Sequence, residues 1–493
     1  MLLLRKISPK PLSWALVLLG ILFRLVQYLS NRNMTIDEFN YAFLLSEMSL
    51  KEILHGKFIY PAPYGFIIIQ KLAVYFWGSD EYVLRFFPFL SSILALWLFN
   101  KVKNQFSKSW GGIVALALFT ACSVVIYYSS EVRVYSFDVL VALYLLWLGL
   151  KMRSSPLNSK SIILFGLSGA VAIWFSFPSI IILSAVFMAG TWEYVHNKDW
   201  KNLRIRMMIG VAWGLNFMFF YFWGIQKFTN FSKTHIYWFE YNKNIIHKPA
   251  SLFFHLEGIW SHFYKMFINP AGLNLPLLAI FFFFLGCYAI YSKNKFKCLL
   301  LSSPILLAAV AAILKKYPFK ERLILFLLPS LFLLIGLGWE YFYNQERKFF
   351  KNGFYSFILL ILLLFHPFQN SYIHLFNPIK RPKIKQAMQY IKSHLQKNDC
   401  LYVVQWTVAT PVEYYKDQIK IPSSIIFKAS GGIGRKAIIK DMKKLSKFRR
   451  VWIIYGPARG LYQRQILDFF NHKAKQLDVF RTEGTFCYLY EFQ

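Results

Sequence analysis

Two adjacent carboxylates, Asp37 and Glu38, stand a few residues beyond a long apolar run, in Asn33-Met34-Thr35-Ile36-Asp37-Glu38. A carboxylate at a lipid–water boundary can take a proton from an attacking hydroxyl or amine, while its neighbour holds a divalent ion such as Mg or Mn or positions a reactant. The same residues also suit the start of a helix. Thr35 or Asp37 makes a good N-cap, and the helix dipole favours an acid in the first turn. The dipeptide alone leaves both readings open.

Charged groups in two other short segments bear on the choice. One reads Ser130-Glu131-Val132-Arg133-Val134-Tyr135 and the other Lys315-Lys316-Tyr317-Pro318-Phe319-Lys320-Glu321-Arg322. Arg133, Lys320 and Arg322 can grip a phosphate, because a guanidinium fork or an ammonium offsets charge building on a leaving group. Lys71 offers a fourth cation, and Glu131 and Tyr135 flank Arg133. Each cation also has an ordinary use, reaching from an apolar helix to lipid headgroups. His55 reads as a solvated loop side chain or a ligand. Tyr237, Trp238, Phe239 and Tyr241 suit stacking on a sugar ring or an interfacial aromatic belt.

The elements that must carry these groups are membrane helices. Of 493 residues, 56% are hydrophobic and 16% charged, a balance no soluble surface tolerates. Apolar runs long enough to cross roughly 30 Å of hydrocarbon predict about eleven spans, near 12–30, 84–100, 111–127, 136–151, 161–176, 178–195, 207–224, 273–291, 298–314, 322–342 and 354–369. The formal charge of +34 falls largely in alternate short loops such as Lys101/Lys103/Lys108 and Arg347/Lys348/Lys351, so topology accounts for it without nucleic acid. With these loops cytoplasmic, the N-terminus is cytoplasmic and its first run is a signal anchor. The outer segments are then 31–83, 128–135, 225–272, 315–321 and everything after about 370, all in one compartment.

Residues 63–77 are apolar but too short to span, which suits a helix lying at the interface. After Pro382, charged helices near 383–397 and 437–447 alternate with strand-like runs at 400–406, 451–456 and 486–492, a small α/β domain. The expected division is a transmembrane domain over 1–370, with the first outer loop 31–83, and a soluble periplasmic domain over 371–493. Cys400 and Cys487 could form a disulfide there. Lys443, Lys444, Lys447, Arg449 and Arg450 give that domain a basic cluster, suited to anionic headgroups, an acidic acceptor or plain solvation.

Asp-Glu just past the first span, then Trp77-Gly78-x-x-Glu81-x-x-x-Arg85 leading into the second, resembles the GT-C glycosyltransferases of the protein O-mannosyltransferase and lipid A aminoarabinose transferase type. Tyr317-Pro318-Phe319-Lys320-Glu321-Arg322-Leu323, followed by a span containing Pro329, is similar to their late membrane segment. The resemblance implies a polytopic α-helical membrane protein of GT-C architecture, with interfacial helices and a C-terminal extracytoplasmic α/β domain. It implies transfer of a sugar from a polyprenyl-phosphate donor to a glycan, lipid or protein acceptor outside the inner membrane, with inversion. Asp37 would be the catalytic carboxylate and Glu38 its assistant, the pair holding any metal. Lys71, Arg133, Lys320 and Arg322 would stabilise the departing phosphate.

Many relatives carry a His-Pro-Pro-Leu-like element where this chain has Tyr60-Pro61-Ala62-Pro63-Tyr64, so the metal is open. Rival readings are a transporter or flippase for a lipid-linked saccharide, a glycan ligase or polymerase, and an inactive relative. The first would need charges near the bilayer midplane, where this sequence places few.

Overall fold

The computed structural model describes residues 9–55, 62–156, 158–225, 252–314, 316–350, 352–378, 382–404, 406–429, 435–456 and 460–492. The aromatic run at 237–241, Pro61 of the proline element and Lys315 lie outside these residues. The contacts divide the chain into two compact units, one of Met1–Ser30 with Met48–Pro378 and one of Asn31–Glu47 with Ile379–Gln493.

The first unit is a helical bundle. Among the described residues nine helices are long and apolar enough to cross a membrane, and three further apolar helices are shorter, Tyr64–Trp77, Trp110–Thr120 and Ser159–Phe175. The chain is a polytopic helical membrane protein. The segment from Glu321 to Phe350 is its axis, 83% buried in its most apolar stretch, whereas Trp200–Gly224 and Phe354–Phe376 are 22% buried. The exposed Met208, Val211 and Leu215, and Phe357, Ile361 and Phe365, therefore present apolar surface suited to hydrocarbon. The expected interfacial segment is helix Tyr64–Trp77, whose first turns are buried and whose last residues, Tyr75, Phe76 and Trp77, are exposed.

Close helix packing around the axis depends on glycine. A Cβ on Gly338 would lie 1.8 Å from the Phe282 carbonyl oxygen, and one on Gly286 would lie 1.9 Å from that of Leu334. Helices Pro276–Lys293 and Leu328–Phe350 thus touch backbone to backbone, the close approach small residues permit between membrane helices. Gly338→Val should cost roughly 3 kcal/mol or more, since backbone cannot yield as a side chain can. A collapse in monodisperse yield from detergent, with Gly166→Val as the harmless control because its Cβ meets nothing, would check this.

The expected third span, 111–127, is two helices, Trp110–Thr120 and Ser123–Tyr128, separated at Ala121 and Cys122. A break in an apolar helix leaves backbone groups that need partners, and side chains at the break can hold neighbouring segments. Ser371 Oγ donates to the Ala121 carbonyl at 2.8 Å, and Cys122 Sγ lies 3.4 Å from the Pro270 carbonyl oxygen. The expected fifth span is the 17-residue helix Ser159–Phe175, and the long loop 225–272 contains helix Leu252–Ile268.

The second unit holds a five-stranded sheet: β1 (Cys400–Val403), β2 (Ile426–Lys428), β3 (Arg450–Tyr455), β4 (Ala474–Thr482) and β5 (Thr485–Phe492), in the order β2-β1-β3-β5-β4. The first three are parallel, and β5 and β4 run antiparallel to their neighbours. Three of these strands were legible as apolar runs. β4, with alternate polar residues on an edge, and the three-residue β2 were not.

The proposed Cys400–Cys487 disulfide is corrected here. β3 lies between the two cysteines, with Cys400 opposite Val451 and Cys487 opposite Ile454. Two strand spacings of about 4.8 Å exceed the reach of a disulfide, and both thiols are free and buried. Burial, with Asp399 beside it, pushes the Cys400 thiol up to about 12, and burial also raises Cys487. Only the thiolate reacts. Neither cysteine should be alkylated by a maleimide at pH 7.5 until the unit is denatured, which mass spectrometry of the two peptides checks.

The basic cluster before β3 divides as well. Lys443, Lys444 and Lys447 are exposed, but Arg450 pairs at 3.3 Å with buried Asp399, and Arg449 pairs with Glu491 at the surface. Asp399 also accepts from Trp452 Nε1 at 3.2 Å and from the Gln396 amide at 3.0 Å. Asp399→Ala strands these donors and should lower the stability of the unit by about 3 kcal/mol, read as the shift in its thermal transition.

Candidate active site

Within the first unit, one end of the bundle gathers the turn at 128–135 and the segment around Arg322. There the end of helix Pro9–Leu29 meets the start of helix Glu81–Phe106: Tyr28 Oη donates to the Tyr82 carbonyl at 3.0 Å and Tyr82 Oη to that of Leu29 at 3.1 Å. The short helix Ser123–Tyr128 delivers the chain to the same end. Ser129 Oγ closes the helix onto the Ile126 carbonyl at 2.6 Å, and Ser130 Oγ reaches the Gln27 carbonyl at 3.5 Å. A tight turn follows, the Arg133 amide bonding the Glu131 carbonyl at 2.7 Å, and helix Tyr135–Ser154 begins. Ser136 Oγ ties that start back to the Tyr128 carbonyl at 2.8 Å.

Arg322 comes from a distant part of the sequence. It lies in the 3-10 helix Glu321–Leu327, which packs on helix Tyr135–Ser154. Glu321 just before it has φ 44°, left-handed backbone that costs a non-glycine residue. Tyr317 Oη holds the segment by donating to the Leu323 carbonyl at 2.7 Å. The Arg322 guanidinium then sits 5.6 Å from the centre of the Tyr135 ring. Tyr135 packs edge-on against Tyr128, ring centres 5.1 Å apart, and Tyr128 lies within electrostatic range of both Glu131 and Arg322. A small cavity beneath is lined by Ser92, Val125, Tyr128, Tyr135, Ser136 and Leu325, among others.

Of the candidates read from sequence, Glu131, Tyr135 and Arg322 therefore converge. Glu131 is buried, and Arg133 and Arg322 are half-buried. Lys320 is ion-paired with Glu321 at 3.5 Å. Lys71 is half-buried on helix Tyr64–Trp77, beside Gln70, whose Nε2 donates to the Leu84 carbonyl at 2.9 Å. His55 is exposed and caps its own helix, Nδ1 lying 2.7 Å from the Lys51 carbonyl oxygen.

Asp37 and Glu38 lie in the second unit, in the first turn of helix Ile36–Glu47. The capping interpretation is realised in detail. The Glu38 amide donates to Thr35 Oγ1 at 3.2 Å, and the Thr35 amide donates to Glu38 Oε2 at 2.8 Å, a reciprocal capping box. Glu38 is buried and Asp37 half-buried. Thr35→Ala should cost this helix about 1 kcal/mol, visible as faster amide exchange over residues 36–47. Among the described residues no three His, Cys, Asp or Glu side chains gather as a metal would require. Glu38 Oε2 is engaged by the Thr35 amide.

Of the charged groups buried in the first unit, sequence reading missed Arg24 and Asp138 and took Arg206 for a loop cation. Arg24, fully buried, donates to Ser92 Oγ at 2.8 Å and to the Gly20 and Phe119 carbonyls, at 2.9 and 3.4 Å. Arg206 lies over the Tyr194 ring and fills the space a Cβ on Gly190 would take. Asp138 accepts from Ser176 Oγ at 2.7 Å, fastening the tight hairpin at 176–178 to helix Tyr135–Ser154. For Arg24 and Asp138 the signal was present as single charges within apolar runs.

No protein-family model and no curated protein sequence matches the chain. Solved structures do. ArnT from Cupriavidus metallidurans, in the apo state, superposes with TM-score 0.53 at 14% identity, over 96% of this chain and 97% of that one. The same protein bound to undecaprenyl phosphate gives 0.53 at 14%, over 97% and 98%. The chain has the GT-C fold. An Archaeoglobus fulgidus oligosaccharyltransferase in complex with Zn and sulfate shares it, with TM-score 0.54 and 11% identity over 96% of this chain and 72% of that one. The GT-C likeness thus runs nearly end to end, including the C-terminal sheet.

Proposed function

We propose that this chain is a glycosyltransferase of the GT-C type, moving a sugar from a polyprenyl-phosphate donor to a glycan, lipid or protein acceptor on the extracytoplasmic face of the cell inner membrane. The observation that carries the reading is the convergence of Arg322 with Tyr135 and Glu131 at one end of the helical bundle, from segments nearly two hundred residues apart. A guanidinium braced on a ring, with an acid close by, suits an anionic group presented at the bilayer edge by a lipid tail. The binding of undecaprenyl phosphate by the ArnT structure, which shares the fold over its whole length, supports the same donor class.

In this reading Asp37 takes the proton of the acceptor hydroxyl or amine as that atom attacks the anomeric carbon. The bond from that carbon to the phosphate oxygen breaks on the opposite side, so configuration inverts. The charge left on the polyprenyl phosphate is held by Arg322 and Arg133, with Glu131 orienting the cations and Lys71 and Lys320 as outer contributors.

The transporter reading takes no support from Arg24, which donates to neutral groups of its own helix and of two neighbouring ones, an arrangement that staples helices together. The test is transfer of radiolabelled sugar from a panel of polyprenyl-phosphate donors into membrane extract by purified protein, with and without EDTA. Label appearing in an acceptor is expected. Label crossing a vesicle bilayer while still attached to its lipid, without transfer, would overturn the enzyme in favour of the flippase.

A further inference from the structure

Helix Ile36–Glu47 is 12 residues long, too short to hold its shape alone in water. It buries a broad face, with Glu38, Phe39, Tyr41, Ala42, Leu44 and Leu45 all inside, and leaves Asp37 and Asn40, three residues apart, half-buried at its edge. The floor of the buried face comes from helix Trp406–Ile419 of the same unit. The Phe39 ring meets Tyr415 edge-on with centres 5.3 Å apart and planes at 87°, and meets Tyr414 at 5.7 Å and 63°. Those two tyrosines pack on each other at 5.3 Å, and the Lys385 ammonium lies 5.3 Å from the centre of the Tyr415 ring. Phe39 is 2% exposed and Tyr415 1%.

Phe39 follows Asp37 by two residues, about 200° around the helix. Gripping that ring therefore fixes the rotation of the helix and, with it, the direction of the carboxylate. The capping box between Thr35 and Glu38 fixes the other variable, where the helix begins. A start held by its own side chains and a face held by two aromatic rings leave Asp37 little freedom to swing.

We propose that Phe39, Tyr414 and Tyr415 are positioning residues for Asp37, so that the C-terminal unit aims the carboxylate of the first outer loop. This rests on the assignment of Asp37 under the proposed function. Misplacing a reacting group by about 1 Å costs on the order of 10²-fold in rate. Loosening the pocket should thus lower kcat about that much, while donor KM, set by other residues, stays within about twofold.

The experiment uses the full-length protein in nanodiscs, with Phe39→Leu, Tyr415→Leu, the double variant and Asp37→Asn. Amide exchange of residues 36–47 is followed beside kcat and KM. Each single variant is expected to speed exchange in that helix but not in the sheet, and to lower kcat at unchanged KM. The double variant should be no worse than either single one, and Phe39→Tyr should restore the rate. Near-wild-type kcat in variants whose helix has loosened would overturn the proposal, as would losses that multiply in the double variant or exchange that does not change. Full activity in Asp37→Asn would instead overturn the assignment of Asp37 itself.

Discussion

Asp37→Asn, folded and purified like the wild type, is expected to lose about 10²- to 10⁴-fold in kcat for sugar transfer, the usual yield of a positioned general base. The amide preserves size and can still accept one hydrogen bond, but it cannot take a proton. The donor should bind as before, so KM for the polyprenyl-phosphate sugar holds while kcat falls, the sign of a group that acts in the transition state. Asp37 lies in the first turn of its helix, where a negative charge is worth about 0.3–1 kcal/mol, so the thermal transition should fall by only a few degrees. Glu38→Gln makes the contrast: its carboxylate accepts the Thr35 amide, and its replacement should disturb the helix more than the chemistry. If Glu38→Gln proves the more damaging in kcat, the two acids have exchanged roles.

Arg322→Ala should be nearly as severe, by a different route. Removing one preorganised donor from developing negative charge typically costs 10²- to 10³-fold, and the same fork would bind the phosphate in the ground state, so donor KM should rise as kcat falls. Arg322→Lys should recover little. An ammonium has neither the planar fork nor the face that lies over Tyr135. Tyr135→Phe, which keeps the ring, should stay close to wild type, and Tyr135→Ala should approach Arg322→Ala. Initial rates over a range of donor concentrations separate these outcomes, and a high-salt series distinguishes a buried phosphate contact from screened surface attraction.

Much of this architecture was legible because the bilayer imposes a blunt rule. Runs such as 136–151 and 298–314 must be helices of spanning length, and Pro63 and Gly78 bracket one that is too short. The break at Ala121 was not legible, because its compensation comes from Ser371, 250 residues away. Hydropathy saw one continuous run. Arg24 was passed over for a related reason: a single charge in an apolar helix reads as an outlier until its partners on two other helices are known. At the site, residue types gave the candidates and their chemistry. Only the fold could show that Arg322 comes to rest on Tyr135 while Lys320 turns to Glu321. The Thr35/Glu38 box was written in the spacing, and the aromatic floor under Phe39 was not, because Tyr414 and Tyr415 lie some 375 residues further on.

The membership of residues 31–47 in the C-terminal unit also bears on synthesis. Asp37 is translated about 375 residues ahead of Tyr414 and Tyr415, the rings that would seat its helix, with the apolar helices between Tyr64 and Phe376 made in the interval. A nascent or prematurely terminated chain therefore carries the acid on a segment with nothing to fold against. On the role proposed for Asp37, products that end before Tyr414 are expected to be inert in sugar transfer, since the helix that carries the acid would have no floor to pack on.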